Sequence, residues 1–216
     1  MTEGDAAQVW AVVLAAGRGE RFGRPKQFER ADGVRLVDRS VDLVRPHVQG
    51  IVLALPPGRL WDGPPVDVVV EGGATHAEST RAALSALPPE ADTVLVTAPS
   101  HPLIDASLIA DVLSEIQRGA DASVPLLPLA DAVKVHDATG VHSVLTSDRP
   151  SLAQLPFGFR RSVLDEATTQ WPDFVEELEA VERLGGTIAA VEGRPTNIHV
   201  ATPADLALAT LILRHG

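Results

Sequence analysis

The sequence from Val9 to Lys26 reads VWAVVLAAGRGERFGRPK. Its first seven residues, Val9 to Ala15, form an almost continuous apolar run, which is typical of a strand buried on both faces of a parallel sheet. A loop with three glycines and four basic residues follows directly. Because ligands of parallel α/β sheets bind beyond the carboxyl ends of the strands, this stretch indicates both a fold class and the place of a binding site.

Strand and helix patterns alternate along the rest of the chain. Further apolar runs of strand length are Gly50 to Leu55, Val66 to Val70, Thr93 to Thr97, Ala122 to Leu126 and Thr187 to Val191. Helical spacing occurs over Leu36 to Val44, Ser79 to Leu87, Ser107 to Arg118, Ser162 to Thr168 and Phe174 to Leu184. The alternation predicts an α/β fold with a mainly parallel twisted sheet and helices on both faces. We predict that residues 1–216 form a single domain.

The last helix has the clearest start signal. Thr202 is a candidate cap, Pro203 suits the first helical position, and Asp205 completes the pattern of a capping box. An apolar face then continues to Leu213.

Residues Asp131 to Pro150 interrupt the alternation. They read DAVKVHDATGVHSVLTSDRP, in which polar and apolar residues alternate around a turn signal at residues 138–140. This pattern predicts an exposed hairpin or extended β-arm.

Composition narrows the classes of function. The net charge of −11 argues against nonspecific nucleic-acid binding, and the absence of cysteine excludes disulfides, thiolate metal sites and cysteine nucleophiles. No apolar run approaches the roughly 18 residues of a membrane span, so we expect a cytoplasmic protein without membrane contact. A small anionic ligand stays compatible with the acidic balance, because nearby groups dominate the field at a site.

The glycine-rich loop favours a phosphate ligand. Small residues let backbone N–H groups approach an anion closely, and the loop's three arginines and one lysine supply charge for several phosphate oxygens. The glycine spacing is GxGxxxG instead of the dinucleotide pattern GxGxxG. The acidic residue that this pattern places on the ribose is matched only formally, by Asp38 or Asp42. The P-loop ending GK[ST] is absent. Of 18 lysines and arginines, only Lys26 and Lys134 are lysines, so a lysine in this loop is not a matter of composition. The alternative is a strand-to-helix turn with solvated arginines.

The stretch AAGRGERFGRPK resembles the signature of nucleotidyltransferases that act on sugar phosphates and polyol phosphates, with Pro25 and Lys26 one residue earlier than in many members. Further matching segments follow in order: Gly72-Gly73 with Ser79, Pro102-Leu103, Asp131 to Lys134, Thr146 to Arg149, Glu192 to Ile198, and Thr202 to Leu206. As a set, from Val9 to Arg214, they resemble the 2-C-methyl-D-erythritol 4-phosphate cytidylyltransferase family.

The resemblance implies a Rossmann-like nucleotidyltransferase fold and an activity. The expected reaction transfers a cytidylyl group from CTP to 2-C-methyl-D-erythritol 4-phosphate, a polyol phosphate, and releases pyrophosphate in isoprenoid precursor biosynthesis. By similarity, Arg21 and Lys26 are the catalytic residues. The expected nucleotide contacts are Ala15, Ala16, Gly17, Arg18, Gly19, Gly73 and Ser79. For Gly73 a turn glycine, and for Ser79 a helix N-cap, are the structural alternatives.

The acceptor side is implied in the same way. The expected acceptor contacts are His101, Lys134, Arg149 and His199. In the family an arginine matching Arg149 reaches from the arm into the partner's site, which implies a homodimer through residues 131–150. A solvated arginine and a surface lysine are the alternatives at Arg149 and Lys134.

Several positions depart from the family's pattern. The aspartate that serves Mg²⁺, the implied cofactor, falls on Ala98, which has no oxygen ligand to offer. The arm threonine falls on Ala132, and three basic positions fall on His76, His101 and His199. We expect the three histidines to share a pocket; a histidine metal site is the alternative.

Three functions are therefore compared. The first is an active cytidylyltransferase, which the intact Arg21 and Lys26 favour. The second is a nucleotidyltransferase of the same fold with a changed acceptor or base. The third is a catalytically impaired nucleotide-binding paralogue, which Ala98 and Ala132 favour.

Overall fold

The computed structural model describes residues 7–143 and 150–215. The strands are β1 (Val9–Leu14), β2 (Arg30–Ala31), β3 (Val34–Arg35), β4 (Gly50–Leu55), β5 (Val68–Glu71), β6 (Thr93–Thr97), β7 (Ala122–Pro128), β8 (Lys134–Asp137), β9 (Gly140–Ser143), β10 (Ser151–Ala153), β11 (Phe157–Arg160) and β12 (Ile188–Glu192). The helices are α1 (Leu36–Val44), α2 (His76–Ser85), α3 (Ala106–Gln117), α4 (Arg161–Gln170), α5 (Glu177–Leu184) and α6 (Pro203–His215). Short 3-10 segments cover Glu20–Phe22, Lys26–Phe28 and Arg45–His47.

The main sheet is mostly parallel, as the sequence predicts. Its strand order is β10-β7-β11-β6-β1-β4-β5, and β12 pairs in parallel with β7. Strand β1 lies between β4 and β6 and runs parallel to both. The six strands that the apolar runs predict are all confirmed, and each observed strand begins and ends within two residues of its predicted bounds. The central position of β1 places its carboxyl end, and the loop that follows it, in the middle of the sheet.

Helices cover both faces of this sheet. On one face, Val12 and Leu14 belong to a core that includes residues of α2, α4 and α5. On the other, Ala11 and Val13 pack in a core with α1 and α3. This division follows from the alternation of side chains along a strand, and it confirms the two-sided burial expected of a continuous apolar run.

Strands β10 and β11 are features that the sequence pattern does not predict. Strand β11 runs antiparallel between β6 and β7, and β10 runs antiparallel along the end of β7. Both are only three or four residues long and Pro156 lies between them, so neither has the length of a recognisable apolar run. Strand β11 connects the parallel strands β1, β4, β5 and β6 to the parallel pair of β7 and β12.

Helix α6 begins with the predicted capping box. The Thr202 N–H donates to the Asp205 carboxylate at 2.7 Å, and the Asp205 N–H donates to Thr202 Oγ1 at 3.3 Å. The helix packs in a small core with Phe22 and Leu36. The end of the chain is thereby held against the glycine-rich loop.

Strands β8 and β9 form a separate two-stranded antiparallel hairpin. Residues 131–139 are exposed, and the turn falls at residues 138–139, where the sequence indicates one. Thr146 to Arg149, which carry the arm arginine, lie outside the described residues.

Over residues 7–143 and 150–215, none of the helices combines the length and the apolar character that crossing a membrane requires.

A buried amide joins the turn between β10 and β11 to the segment after β12. Gln154 is buried, and its Nε2 donates to the carbonyl oxygens of Arg194 and Asn197 at 2.9 and 3.0 Å. Its Oε1 accepts the Arg194 N–H at 2.8 Å. This clamp fixes the chain that leads to His199.

Replacing this amide tests the clamp. We expect Gln154→Ala to lower the free energy of unfolding by about 2–4 kcal/mol, because buried backbone groups lose their partners. Urea denaturation measures the change. The control is Gln170→Ala, since Gln170 is exposed and bonds Glu166 on its own helix; a change below about 0.5 kcal/mol is expected there. Equal effects in the two variants would contradict the clamp.

Candidate active site

The candidate site lies beyond the carboxyl ends of β1, β5 and β6. A cavity of about 190 Å³ there is lined by Leu14, Ala16, Gly17, Arg18, Gly73, Ala74, Thr75, His76, Ser79 and Ala98. An adjoining groove is lined by residues 17–22 together with Lys26, Ala74, His76 and Ala201. Ala15 and Gly19 line a third, smaller cavity with Lys26 and Gln27. The structure thus brings together all residues that the sequence assigns to the nucleotide side.

Gly17 and Gly19, two of the loop's three glycines, have different roles. Gly19 has a φ of +69°, and a Cβ there would lie 1.9 Å from the Arg24 carbonyl oxygen, so only glycine allows the loop to close. Gly17 has no heavy atom within 4 Å of a built Cβ. The space beside Gly17 therefore belongs to the cavity. Gln27, which sequence reasoning did not select, is buried and donates to the Gly17 carbonyl at 2.9 Å.

The loop's basic residues divide into paired and unpaired groups. Arg24 forms a salt bridge with Glu29 at 2.6 Å, so its charge is largely neutralised. Arg18 and Arg21 line the groove, and among residues 7–143 and 150–215 neither has a carboxylate partner. Arg24 is not in the wall of the groove, so Arg18 and Arg21 are the two arginines of the loop that face it.

Lys26 is anchored as well as cationic. Its Nζ donates to the Val200 carbonyl oxygen at 2.6 Å. Burial and the charge of Arg21 lower the pKa of the lysine. The Val200 N–H in turn donates to the Ser100 carbonyl oxygen at 2.7 Å. Backbone groups of Val200 thus join the loops after β1 and β6.

Gly73 and Ser79 form a tight turn at the start of α2. Ser79 Oγ accepts the Gly73 N–H at 3.1 Å and donates to the Thr75 carbonyl at 2.9 Å. A Cβ on Gly73 would lie 2.2 Å from the Cβ of Glu78, so the turn requires glycine. Thr75, with Glu78, caps the helix, and the alternative of Ser79 as the N-cap is wrong.

The three histidines share one cleft, as expected. A cavity of about 250 Å³ has His76, His101 and His199 in its wall, and it shares Ala98 with the cavity beside Gly17. The rings of His101 and His199 are 5.0 Å apart between centroids and tilted by 44°. Leu155, Phe157 and Glu176 complete this second cleft.

Two of these imidazoles are neutral at pH 7. Burial, with the charges of His199 and Lys26, lowers the pKa of His101 to about 3. Partial burial and the charges of Lys26 and Arg21 also lower the pKa of His199. The second cleft therefore offers hydrogen bonds from neutral rings where the family, by resemblance, has cations.

His76 differs from the other two histidines. Its Nε2 lies 2.7 Å from Oε1 of Glu177, a carboxylate only 1% exposed. Burial opposes the charged ring, but the hydrogen bond and charge of Glu177, aided by Glu176, raise the pKa of His76. Sequence reasoning did not select Glu177, because its acidic neighbours resemble the solvated face of a helix.

The residues present do not fit a protein-bound magnesium ion. Mg²⁺ prefers one or two carboxylates with phosphates and waters, and Ala98 supplies none at the junction of the two clefts. Within the described parts of the chain, three or more histidine or carboxylate side chains nowhere gather into a possible metal site. The alternative of a histidine metal site therefore finds no support.

Of the two remaining residues that the resemblance assigns to the acceptor side, Lys134 lies on the hairpin. Lys134 begins β8 and is exposed, as is Ala132, and Lys134 is not in the wall of the clefts described above. Arg149 is outside the described residues.

Comparisons with known proteins agree on one family. The family model described as "IspD: 2-C-methyl-D-erythritol 4-phosphate cytidylyltransferase" matches residues 9–215. The protein of that name from Rhodococcus jostii (strain RHA1) is 35% identical and covers 96% of both chains. The one from Nocardia farcinica (strain IFM 10152) is 36% identical over 95% of this chain and 94% of its own. The crystal structure of the Thermus thermophilus protein has a TM-score of 0.84 at 30% identity, covering 96% of this chain and 99% of that one.

The two loop glycines are a matched pair for mutation. We expect Gly19→Ala to lower the free energy of unfolding by about 1–3 kcal/mol, because its left-handed backbone and the Arg24 carbonyl exclude a Cβ. Gly17→Ala adds the same methyl group to open space and is expected to change stability by less than about 0.5 kcal/mol. Urea denaturation of both variants measures this, and an equal loss in the two would contradict the assignment.

Proposed function

The chain belongs to the 2-C-methyl-D-erythritol 4-phosphate cytidylyltransferase family, and we propose that it transfers the cytidylyl group of CTP to that polyol phosphate. The observation that supports this is the loop from Gly17 to Lys26, which joins an open glycine to unpaired arginines at the carboxyl end of the central strand. The reaction belongs to isoprenoid precursor biosynthesis, and the protein is a nucleotidyltransferase.

The chemistry needs positioning and charge stabilisation more than covalent catalysis. A phosphate oxygen of the acceptor attacks the α-phosphorus of CTP, one P–O bond forms, and the bond to the β-phosphate breaks with release of pyrophosphate. Both reactants are anions, so cations are needed where negative charge develops. Arg21 and Lys26 are the proposed source of that charge, because both line the groove beside Gly17.

Two adjoining clefts suit two substrates. The nucleotide side comprises Gly17, Gly73 and the turn at Ser79, and the acceptor side comprises His101 and His199. Ala98 lies in the wall of both cavities. The transfer is therefore proposed to take place beside Ala98, with CTP and acceptor entering from opposite sides.

Magnesium is proposed to arrive with the nucleotide. Ala98 offers no carboxylate, so phosphate oxygens and water are the hard ligands left for the ion. CTP is then held mainly by contacts between its phosphates and the residues of this chain, and less by a metal ion bound to protein side chains.

The neutral imidazoles of His101 and His199 favour a second candidate, a changed acceptor. A neutral ring donates one hydrogen bond and holds a phosphate dianion less firmly than a permanent cation. A related polyol phosphate with a different headgroup is the substrate class that this change suggests. A third candidate, an impaired nucleotide-binding paralogue, rests on Ala98 and on Ala132, which lies on the exposed hairpin.

A homodimer through the arm is also proposed. Val135 and Val141 are exposed on the hairpin, and such apolar side chains are available for burial against a second copy. Arg149, following this hairpin, is the proposed contribution of one protomer to its partner's acceptor side. A cytoplasmic location is the matching proposal, because both substrates are strongly charged metabolites.

Turnover with defined substrates tests the proposed function. Incubation with CTP, Mg²⁺ and 2-C-methyl-D-erythritol 4-phosphate should release pyrophosphate, and Arg21→Ala or Lys26→Ala should lower kcat by about a hundredfold or more. Arg24→Ala is the control in the same loop, since its guanidinium pairs with Glu29. Turnover only with other polyol phosphates would favour the changed acceptor. CTP binding without any turnover would favour the impaired paralogue.

Ala98→Asp tests the account of magnesium. In excess Mg²⁺ we expect this variant to bind CTP about tenfold more tightly, because the new carboxylate completes a hard-ligand set. In EDTA it should bind CTP more weakly than wild type, because the carboxylate repels the triphosphate. Isothermal titration with Ala98→Asn as the size-matched control measures both. Weaker binding to the same extent with and without Mg²⁺ would contradict the account.

A further inference from the structure

His76 begins α2 at the meeting point of the clefts. It lies in the wall of the nucleotide cavity with Arg18, in the groove with Lys26, and in the acceptor cleft with His199. The resemblance assigns no role to His76 beyond its place on a basic position of the family's pattern. Its position gives it access to any phosphate that bridges the two sides.

One ring nitrogen is fixed and the other is available. Nε2 of His76 is held by the Glu177 carboxylate at 2.7 Å, and the ring meets the edge of Phe174 with 6.3 Å between centroids. Among residues 7–143 and 150–215, Nδ1 has no hydrogen-bond partner. A carboxylate that binds one nitrogen orients the ring and leaves the other N–H for a ligand.

The burial of Glu177 influences the protonation of His76. A carboxylate withdrawn from water needs cationic or hydrogen-bonding partners, and Glu177 has two: His76, and Thr80 Oγ1, which donates at 2.6 Å. Retaining the negative charge of Glu177 favours the protonated ring of His76.

The start of α2 is an unfavourable place for the positive charge of His76. A positive charge at the first residue of a helix is disfavoured by the helix dipole. The nearby N–H groups of Ala74 and Thr75 already bond the Glu78 carboxylate, at 2.6 and 3.4 Å. Glu177 offsets the unfavourable placement of His76. The protonated ring then faces the groove that Arg18, Arg21 and Lys26 line.

We infer that His76, oriented by the buried carboxylate of Glu177, is a further phosphate-binding cation of the nucleotide cleft and contacts the triphosphate of CTP. This inference rests on the proposed function and assigns Glu177 as its positioning residue. Glu176 and Glu177, from the turn before α5 and from its first residue, are the acids that act on the ring. The other charged and titratable groups that share a cavity wall with His76 are Arg18, Glu20, Arg21, Lys26, His101 and His199.

The sign of the pH effect follows from the protonated form. The raised pKa means that the cation is present at pH 6 and is lost as the pH rises through the raised value. The affinity for CTP should therefore fall by about tenfold as the ring of His76 loses its proton. This is the contribution expected of one charge-assisted hydrogen bond. His76→Arg keeps a permanent charge, so its affinity should follow only the titration of CTP itself.

The experiment is isothermal titration of CTP with Mg²⁺ from pH 6.0 to 8.5, on the full chain. Relative to His76→Arg, wild type should lose affinity toward high pH, and His76→Gln should bind about tenfold more weakly at pH 6. Glu177→Gln should move the loss of affinity to lower pH, and this shift should vanish in the double variant with His76→Arg. Glu182→Gln, an exposed acid on the same helix, is the control and should match wild type.

The outcomes separate the inference from the proposed function. Identical pH profiles of CTP affinity in wild type, His76→Arg and His76→Gln would overturn the inference and leave the proposed function standing, because pyrophosphate release tests that function separately. Absence of CTP binding in wild type and Glu182→Gln alike would overturn both. The two His76 variants carry the test even where Glu177→Gln fails to fold, and thermal melts identify that case.

Discussion

The backbone of Val200 holds the candidate site together. Its N–H bonds the Ser100 carbonyl in the loop after β6, and its carbonyl accepts from Lys26 in the loop after β1. Val200 is fully buried, and Lys26 is half-buried, so both bonds are at least partly shielded from water. The two bonds fix three segments that are far apart in the chain, the loops after β1 and β6 and the chain before α6, beyond the carboxyl ends of the strands. His199 and the cap of α6 flank this residue, and their positions depend on the same pair of bonds.

The charges around this connection divide the site into two unlike halves. On the loop side, Arg18, Arg21 and Lys26 present cations to an open groove, and Gly17 leaves room beside them. On the opposite side, His101 and His199 are neutral near pH 7, because burial and neighbouring cations disfavour their protonation. The groove beside the loop is thus cationic, while the cleft of His101 and His199 offers hydrogen bonds from neutral rings.

Sequence reasoning succeeded where local pattern decides the structure. Continuous apolar runs predicted the six main strands, and the Thr202–Asp205 pair predicted the cap of α6, since both signals lie within a few residues. It missed β10 and β11, which are short and acquire strand form only by pairing with β6 and β7. It also missed the partner of His76, because Glu177 lies 101 residues away and its burial depends on the packing of α2 against the turn before α5. The loss of the metal aspartate at Ala98 was readable from the sequence, but the sharing of Ala98 by two clefts was not.

The central claim is that the loop after β1 holds the triphosphate of CTP, with the transferred phosphate beside Ala98. A crystal structure of the protein soaked with CTP and Mg²⁺ measures this most directly. The account predicts phosphate oxygens on the backbone of Gly17 to Gly19 and on Lys26, with the base toward Gly73. A nucleotide bound in the histidine cleft, or away from this loop altogether, would contradict it.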